Sequence, residues 1–136
     1  MPVTYSIDPA RKLIRTTCSG QVTLQEIIDH FQTLGTDPRC AGSPDVMLDV
    51  SASELFPDSQ NLARVVTELA KISDTVQFRL CAINAGQDTM FGMMRMFEVH
   101  AAKYFKAVRV FRNPADTEKW LDSYQVGDGP VTGSSL

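Results

Sequence analysis

The segment Val76 to Ala85 constrains the fold of this chain most strongly. It is continuously and largely apolar, and it ends at a glycine, Gly86. A half-buried strand alternates apolar and polar residues. An unbroken apolar run of this length suits a strand in the middle of a sheet that is covered on both faces. Such sheets are mostly parallel, and helices supply the covers. The rest of the chain therefore has to provide amphipathic helices between strands.

It does so in order. Val3-Thr4-Tyr5-Ser6-Ile7 alternates as a half-buried strand, Asp8-Pro9-Ala10-Arg11 reads as a turn, and Lys12 to Ser19 reads as a second strand ended by Gly20. These two strands predict a hairpin. Thr23-Leu24-Gln25-Glu26 has the form of a capping box. Leu24, Ile27, Ile28, Phe31 and Leu34 follow at helical spacing, and Gly35 is placed to end the helix in a left-handed conformation. Val46 to Val50 predicts a short strand after a loop, and Ser51 to Asn61 a second loop. Leu62, Val65, Val66 and Leu69 mark a second helix. Asp88 is placed to cap a third helix from Thr89 to about Tyr104. Val108 to Phe111 predicts a last strand, and Asn113-Pro114 opens a final helix with Ala115, Trp120, Leu121 and Tyr124 toward the core. The order β-β-α-β-α-β-α-β-α predicts an α/β fold: a mixed sheet of about five strands with four helices. One domain over 1–125 is expected, with a flexible Gly- and Ser-containing tail over 126–136.

This order resembles the STAS domain, the fold of bacterial anti-sigma-factor antagonists. More closely, the chain resembles small uncharacterised bacterial SpoIIAA-like proteins. Three stretches carry the likeness: Val46-Met47-Leu48-Asp49-Val50-Ser51; Phe91-Gly92-Met93-Met94-Arg95-Met96-Phe97-Glu98; and Val108-Arg109-Val110-Phe111-Arg112 followed by Trp120-Leu121. They span about residues 3 to 122. The resemblance implies a SpoIIAA-like (STAS-like) mixed sheet and a regulatory module that acts by binding another protein. In regulatory STAS members, a kinase phosphorylates the second Ser of Asp-Ser-Ser-Gly-Leu at the start of the second helix. The matching stretch here is Asp58-Ser59-Gln60-Asn61-Leu62. Gln60 stands at the acceptor position, so the resemblance leaves Ser59, beside Asp58, as a shifted switch site. The plainer role for either residue is to cap the helix.

Met90, Met93, Met94, Phe97, Ala101 and Tyr104 form a core stripe at helical spacing. Phe91 and Met96 fall outside it, so the apolar surface is wider than one buried face requires. Methionine suits an adaptable surface, and Met90, Phe91, Met93, Met94, Met96 and Phe97 are candidates for a ligand or partner surface. Asp49 and Ser51, at the end of a probable central strand, are candidates for a ligand edge, with Asn84, Gly86, Gln87 and Asp88 beside them. Turn and cap duties are the structural alternative for all of these. Arg95 and Glu98 are spaced to pair on the helix surface.

Several classes are disfavoured. The chain has 13 basic and 16 acidic residues and a net charge of -3, the wrong balance for binding nucleic acid. Hydrophobic residues make up 43% without a run long enough to span a bilayer, and the N-terminus lacks a signal-peptide pattern. A cytoplasmic location is expected. Cys18, Cys40 and Cys81 read as reduced thiols, and with His30 and His100 they lack metal-ligand spacing, so neither metal nor cofactor is expected. Both histidines fall in helices, and no nucleophile elbow appears. The expected function is a non-catalytic regulatory module with a protein partner or as a homodimer. The alternative is a carrier or sensor of a small apolar, lipid-like ligand beside the Met-rich helix, by fold-level analogy to CRAL-TRIO domains. A hydrolase is the least favoured reading.

Overall fold

The computed structural model describes residues 3–40, 42–55 and 59–126, without the side chains of 55, 59–61, 125 and 126. Five strands form a single sheet: β1 (Val3–Asp8), β2 (Leu13–Gln21), β3 (Asp45–Leu55), β4 (Leu80–Asn84) and β5 (Ala107–Phe111). Their spatial order is β1-β2-β3-β4-β5. β1 pairs antiparallel with β2, and every later pair is parallel. The helices are α1 (Leu24–Thr36), α2 (Ser59–Ile72), α3 (Asp88–Ala101) and α4 (Pro114–Val126).

When parallel strands advance in one direction, right-handed crossovers place the connecting helices on one face. α1, α2 and α3 accordingly share a face, packed on Ile14, Val46, Val50, Cys81, Ile83, Val108 and Val110. α4 covers the other face, with Leu121 fully buried against Leu13, Met47, Leu80 and Ala82. Every residue of β4 is buried, as its unbroken apolar sequence requires of a strand covered twice.

The capping box of α1 forms as expected: the Glu26 amide donates to Thr23 Oγ1 at 3.2 Å, and the Thr23 amide donates to Glu26 Oε1 at 2.8 Å. α4 is capped by Asn113, whose Oδ1 accepts from the Asp116 amide at 2.8 Å. The hairpin closes through Lys12, which takes a positive φ of 51°.

Five local expectations are corrected. Gly20 does not end β2. It has a φ of +66° at a register shift, and the strand continues to Gln21. Gly35 does not terminate α1, which runs to Thr36. Its lack of a side chain serves packing, because a Cβ there would meet Ile72 Cγ2 of α2 at 3.0 Å. β3 is eleven residues long and absorbs part of the expected loop, since Ala52, Ser53 and Leu55 pair with Ser19, Gly20 and Gln21. β4 starts only at Leu80. Val76 and Phe78 are buried, but the backbone there bonds elsewhere: Val76 N–H reaches the Ile72 carbonyl and Arg79 N–H the Pro44 carbonyl. Asp88 is the first residue of α3 rather than its cap. Its exposed carboxylate pairs with Arg112 at 2.6 Å, and a 3₁₀ turn over Ala102–Tyr104 finishes the segment. On α4, Ala115 faces solvent, while Thr117 takes a buried place.

The expected tail lies outside the described residues from 127 onward. No helix among the described residues is long and apolar enough to cross a membrane.

Candidate functional site: an apolar cavity under three helices

β3 is the central strand, so its side chains under the helices should be the best covered in the molecule. Leu48 breaks that expectation. Its register partners on either side, Thr16 of β2 and Ile83 of β4, are buried to 2% and 0% exposure, yet Leu48 is only half-buried. The cause is a cavity of about 60 Å³ between the sheet and the three-helix layer. Thr16, Cys18, Val46, Leu48 and Cys81 form its floor. Ile27, His30, Phe31 and Leu34 of α1, Val65 of α2, and Met94 and Phe97 of α3 form its roof. Phe78 and Phe105, stacked with ring centres 5.3 Å apart, close one end, and Val3 of β1 also contributes.

The lining is hydrocarbon, aromatic ring and thiol except at two side chains, Thr16 and His30. Thr16 Oγ1 and His30 Nε2 lie 3.2 Å apart. The His30 ring meets the Tyr5 ring edge-on at 5.5 Å and lies 5.9 Å from the Phe31 ring. Burial pulls the imidazole down from 6.5 to about 4, so it is neutral around pH 7. Tyr5 is itself fixed, donating from its hydroxyl to Asp37 Oδ2 at 2.8 Å. Asp37 also accepts from Arg39 at 2.9 Å, and these bonds hold the Asp37 carboxyl well below the usual carboxylate range.

The thiols in the wall are unreactive in this setting. Burial pushes both Cys18 and Cys81 up to about 12, far from the thiolate form needed for attack. Cys40 is also a buried free thiol.

The expected site residues separate. Of the Met-rich helix, Met94 and Phe97 line the cavity. Met90 is a core residue, and Phe91 and Met93 are half-buried against the core. The Arg112 guanidinium sits 4.2 Å above the Phe91 ring. Met96 is 43% exposed. Arg95 and Glu98 pair at 3.4 Å on the helix surface.

Asp49 and Ser51 lie elsewhere. Between Thr17 and Ser19 of β2, β3 fits in one additional residue, pairing with them through Asp49 and Ala52. Asp49 Oδ1 stabilises that bulge by accepting from Ser51 N–H at 2.9 Å and Ser51 Oγ at 2.6 Å. Asn84 Nδ2 approaches the same oxygen at 3.4 Å. These are bonds within the strand layer, and the two residues do not adjoin the cavity. Asp58 lies outside the described residues, as does the side chain of Ser59, whose backbone opens α2. No group of three or more His, Cys, Asp or Glu residues among those described could hold a metal.

Thr16, His30, Phe78 and Phe105 were not marked by the sequence as site residues. For His30 a signal was present: it lies three residues after Ile27 and four before Leu34, on the apolar face of α1.

No family model and no curated protein matches this sequence. Among solved structures, the chain is similar to an uncharacterised protein of the DUF3478 family from Shewanella loihica PV-4, described as having a SpoIIAA-like fold. The match covers 88% of this chain and 93% of that one, with a TM-score of 0.58 and 12% identity. Likeness at that identity concerns the fold alone. Together with the strand order and the two helix layers, it assigns this chain the SpoIIAA-like fold.

Proposed function

We propose that this chain is a non-catalytic binding module that holds a small apolar molecule between its sheet and α1–α3. The observation that carries this reading is the half-buried Leu48 at the centre of the sheet, beneath a cavity walled almost entirely by apolar side chains. Protein interiors are otherwise close-packed, and ligand sites are the usual place for mostly apolar hollows with a few polar groups. The non-catalytic part is supported by the chemistry of the walls. The thiols at about 12 are poor nucleophiles, and an imidazole at about 4 is a weak base near neutral pH.

Mass spectrometry under native and denaturing conditions tests the proposal. Protein purified from its own host should carry added mass that is present natively and lost on denaturation. A chain that stays free of added mass, both as purified and after incubation with a hydrophobic extract of that host, would overturn the reading.

A second reading, a regulatory module that pairs with itself or with another protein, is favoured by one observation. Met96 and Val99 are exposed to 43% and 74% on the outer side of α3. If they mediate pairing, Val99→Asp should shift a dimer to monomer in sedimentation. An unchanged sedimentation coefficient would remove this reading.

A further inference from the structure

We infer that the cavity selects an uncharged ligand bearing one hydrogen-bonding group, such as an alcohol or ketone on a short alkyl chain, and that Thr16 and His30 are the residues that recognise that group. This inference rests on the binding role proposed above and specifies its chemistry.

The cavity wall contains no Lys, Arg, Asp or Glu. A carboxylate or ammonium placed there would lose its hydration without gaining an opposite charge, which strongly disfavours ionised ligands. A wholly apolar ligand would need no polar residue in the wall. Yet Thr16, 98% buried on a central strand where valine would fit equally well, presents a hydroxyl there. His30 comes from the opposite layer and meets it at 3.2 Å, so two polar groups converge at one point of an otherwise apolar surface. That separation is at the long end for a hydrogen bond between these groups. A hydroxyl group both donates and accepts, and the neutral imidazole has one N–H and one lone pair. The pair can therefore donate to a carbonyl oxygen, or exchange bonds with an alcohol, without any charge entering the cavity.

Size narrows the class. At about 60 Å³ the space is less than half of the roughly 150 Å³ that receives benzene in an engineered apolar cavity. The closed form suits a short alkyl group. A longer chain would extend past the partly exposed rings of Phe31 and Phe105.

The test titrates the full chain at pH 7 with n-butanol, n-butyrate and n-pentane, three probes of similar bulk, and follows the NMR signals of the Met94 and Leu48 methyl groups. n-Butanol and n-pentane should shift both signals, and n-butyrate should bind at least about tenfold more weakly than n-butanol. Thr16→Val should weaken n-butanol by about fivefold and leave n-pentane unchanged, the signature of one lost neutral hydrogen bond. If n-pentane binds but n-butyrate matches n-butanol, the inference fails while the binding role stands. Equal losses for n-butanol and n-pentane in Thr16→Val would likewise overturn it. If none of the three probes shifts the methyl signals, both the inference and the binding role fall. Should Thr16→Val not fold, the comparison of n-butanol with n-butyrate in the unaltered chain decides the matter alone.

Discussion

His30 joins the apolar cavity wall to the polar network at the β1 side of the sheet, and its position has a measurable cost at low pH. Its imidazole titrates at about 4 in the folded chain, against an ordinary value of 6.5, because it is buried. Above pH 6.5 neither state is protonated at this site and stability is unaffected. Between 6.5 and 4 the unfolded chain binds the proton and the folded chain does not, so stability falls as pH falls. Below 4 the penalty is complete, at about 3 kcal/mol. Urea unfolding of the native chain and of His30→Gln across this window should give curves that converge as pH falls, by up to that amount. Parallel curves would show that His30 is not buried neutral. A second residue-scale prediction concerns Asp45, which is 2% exposed and pairs with Arg79 at 2.8 Å while accepting from the Leu80 amide at 3.2 Å. Asp45→Ala should cost about 3 kcal/mol, since it leaves a mostly buried guanidinium and a buried amide without that acceptor. The chemical-denaturation midpoint measures it. Neither role was legible in the sequence. Asp45 stands in a Pro-Asp loop signal, and only the arrival of β4 beside it gives the carboxylate its partner.

At the scale of elements, local chemistry was legible where local chemistry decides. The capping box at Thr23 and the Asn113-Pro114 start of α4 depend on residues within one turn, and both formed where their sequences placed them. Thr23→Ala should lower stability by about 1 kcal/mol, seen as a shift in the urea midpoint. The misreadings share an opposite cause. β3 continues through Ser51-Ala52-Ser53-Glu54 with little apolar pattern, because β2 offers it a partner and Asp49 holds the bulge. Gly35 looked like a helix stop, but α2 passes too close at Ile72 for a side chain. Partners distant in sequence decide both. α4 is the single helix covering its face of the sheet, and Leu121 is its deepest anchor. Leu121→Ala should cost about 3 kcal/mol in the same assay. The surface ion pairs of α4 with β2, Arg15 with Glu118 and Arg11 with Asp122, should contribute less than about 1 kcal/mol each.

At the scale of the whole molecule, the order of elements carried the architecture. A hairpin followed by alternating helices and strands left few topologies once right-handed crossovers are required, and the doubly apolar β4 fixed a two-layer cover. The cavity was legible only in part. The Met-rich pattern drew attention to α3, and Met94 and Phe97 do face the hollow. Its floor and most of its roof come from β2, β3 and α1, whose sequences read as ordinary core. A hollow arises from how three helices seat on a sheet, and no single periodicity records that. Asp49 and Ser51 illustrate the converse: a general rule about strand ends marked them, while the strand ran on and used them for its own bulge.

The central claim is that a binding hollow, rather than close-packed core, lies above Leu48. A crystal structure determined under xenon pressure tests it most directly, because xenon enters accessible apolar space without needing the natural ligand. The account predicts a xenon peak between Leu48, Val65 and Met94. A crystal that takes up no xenon there, with Leu48 packed directly against the helices, would contradict it.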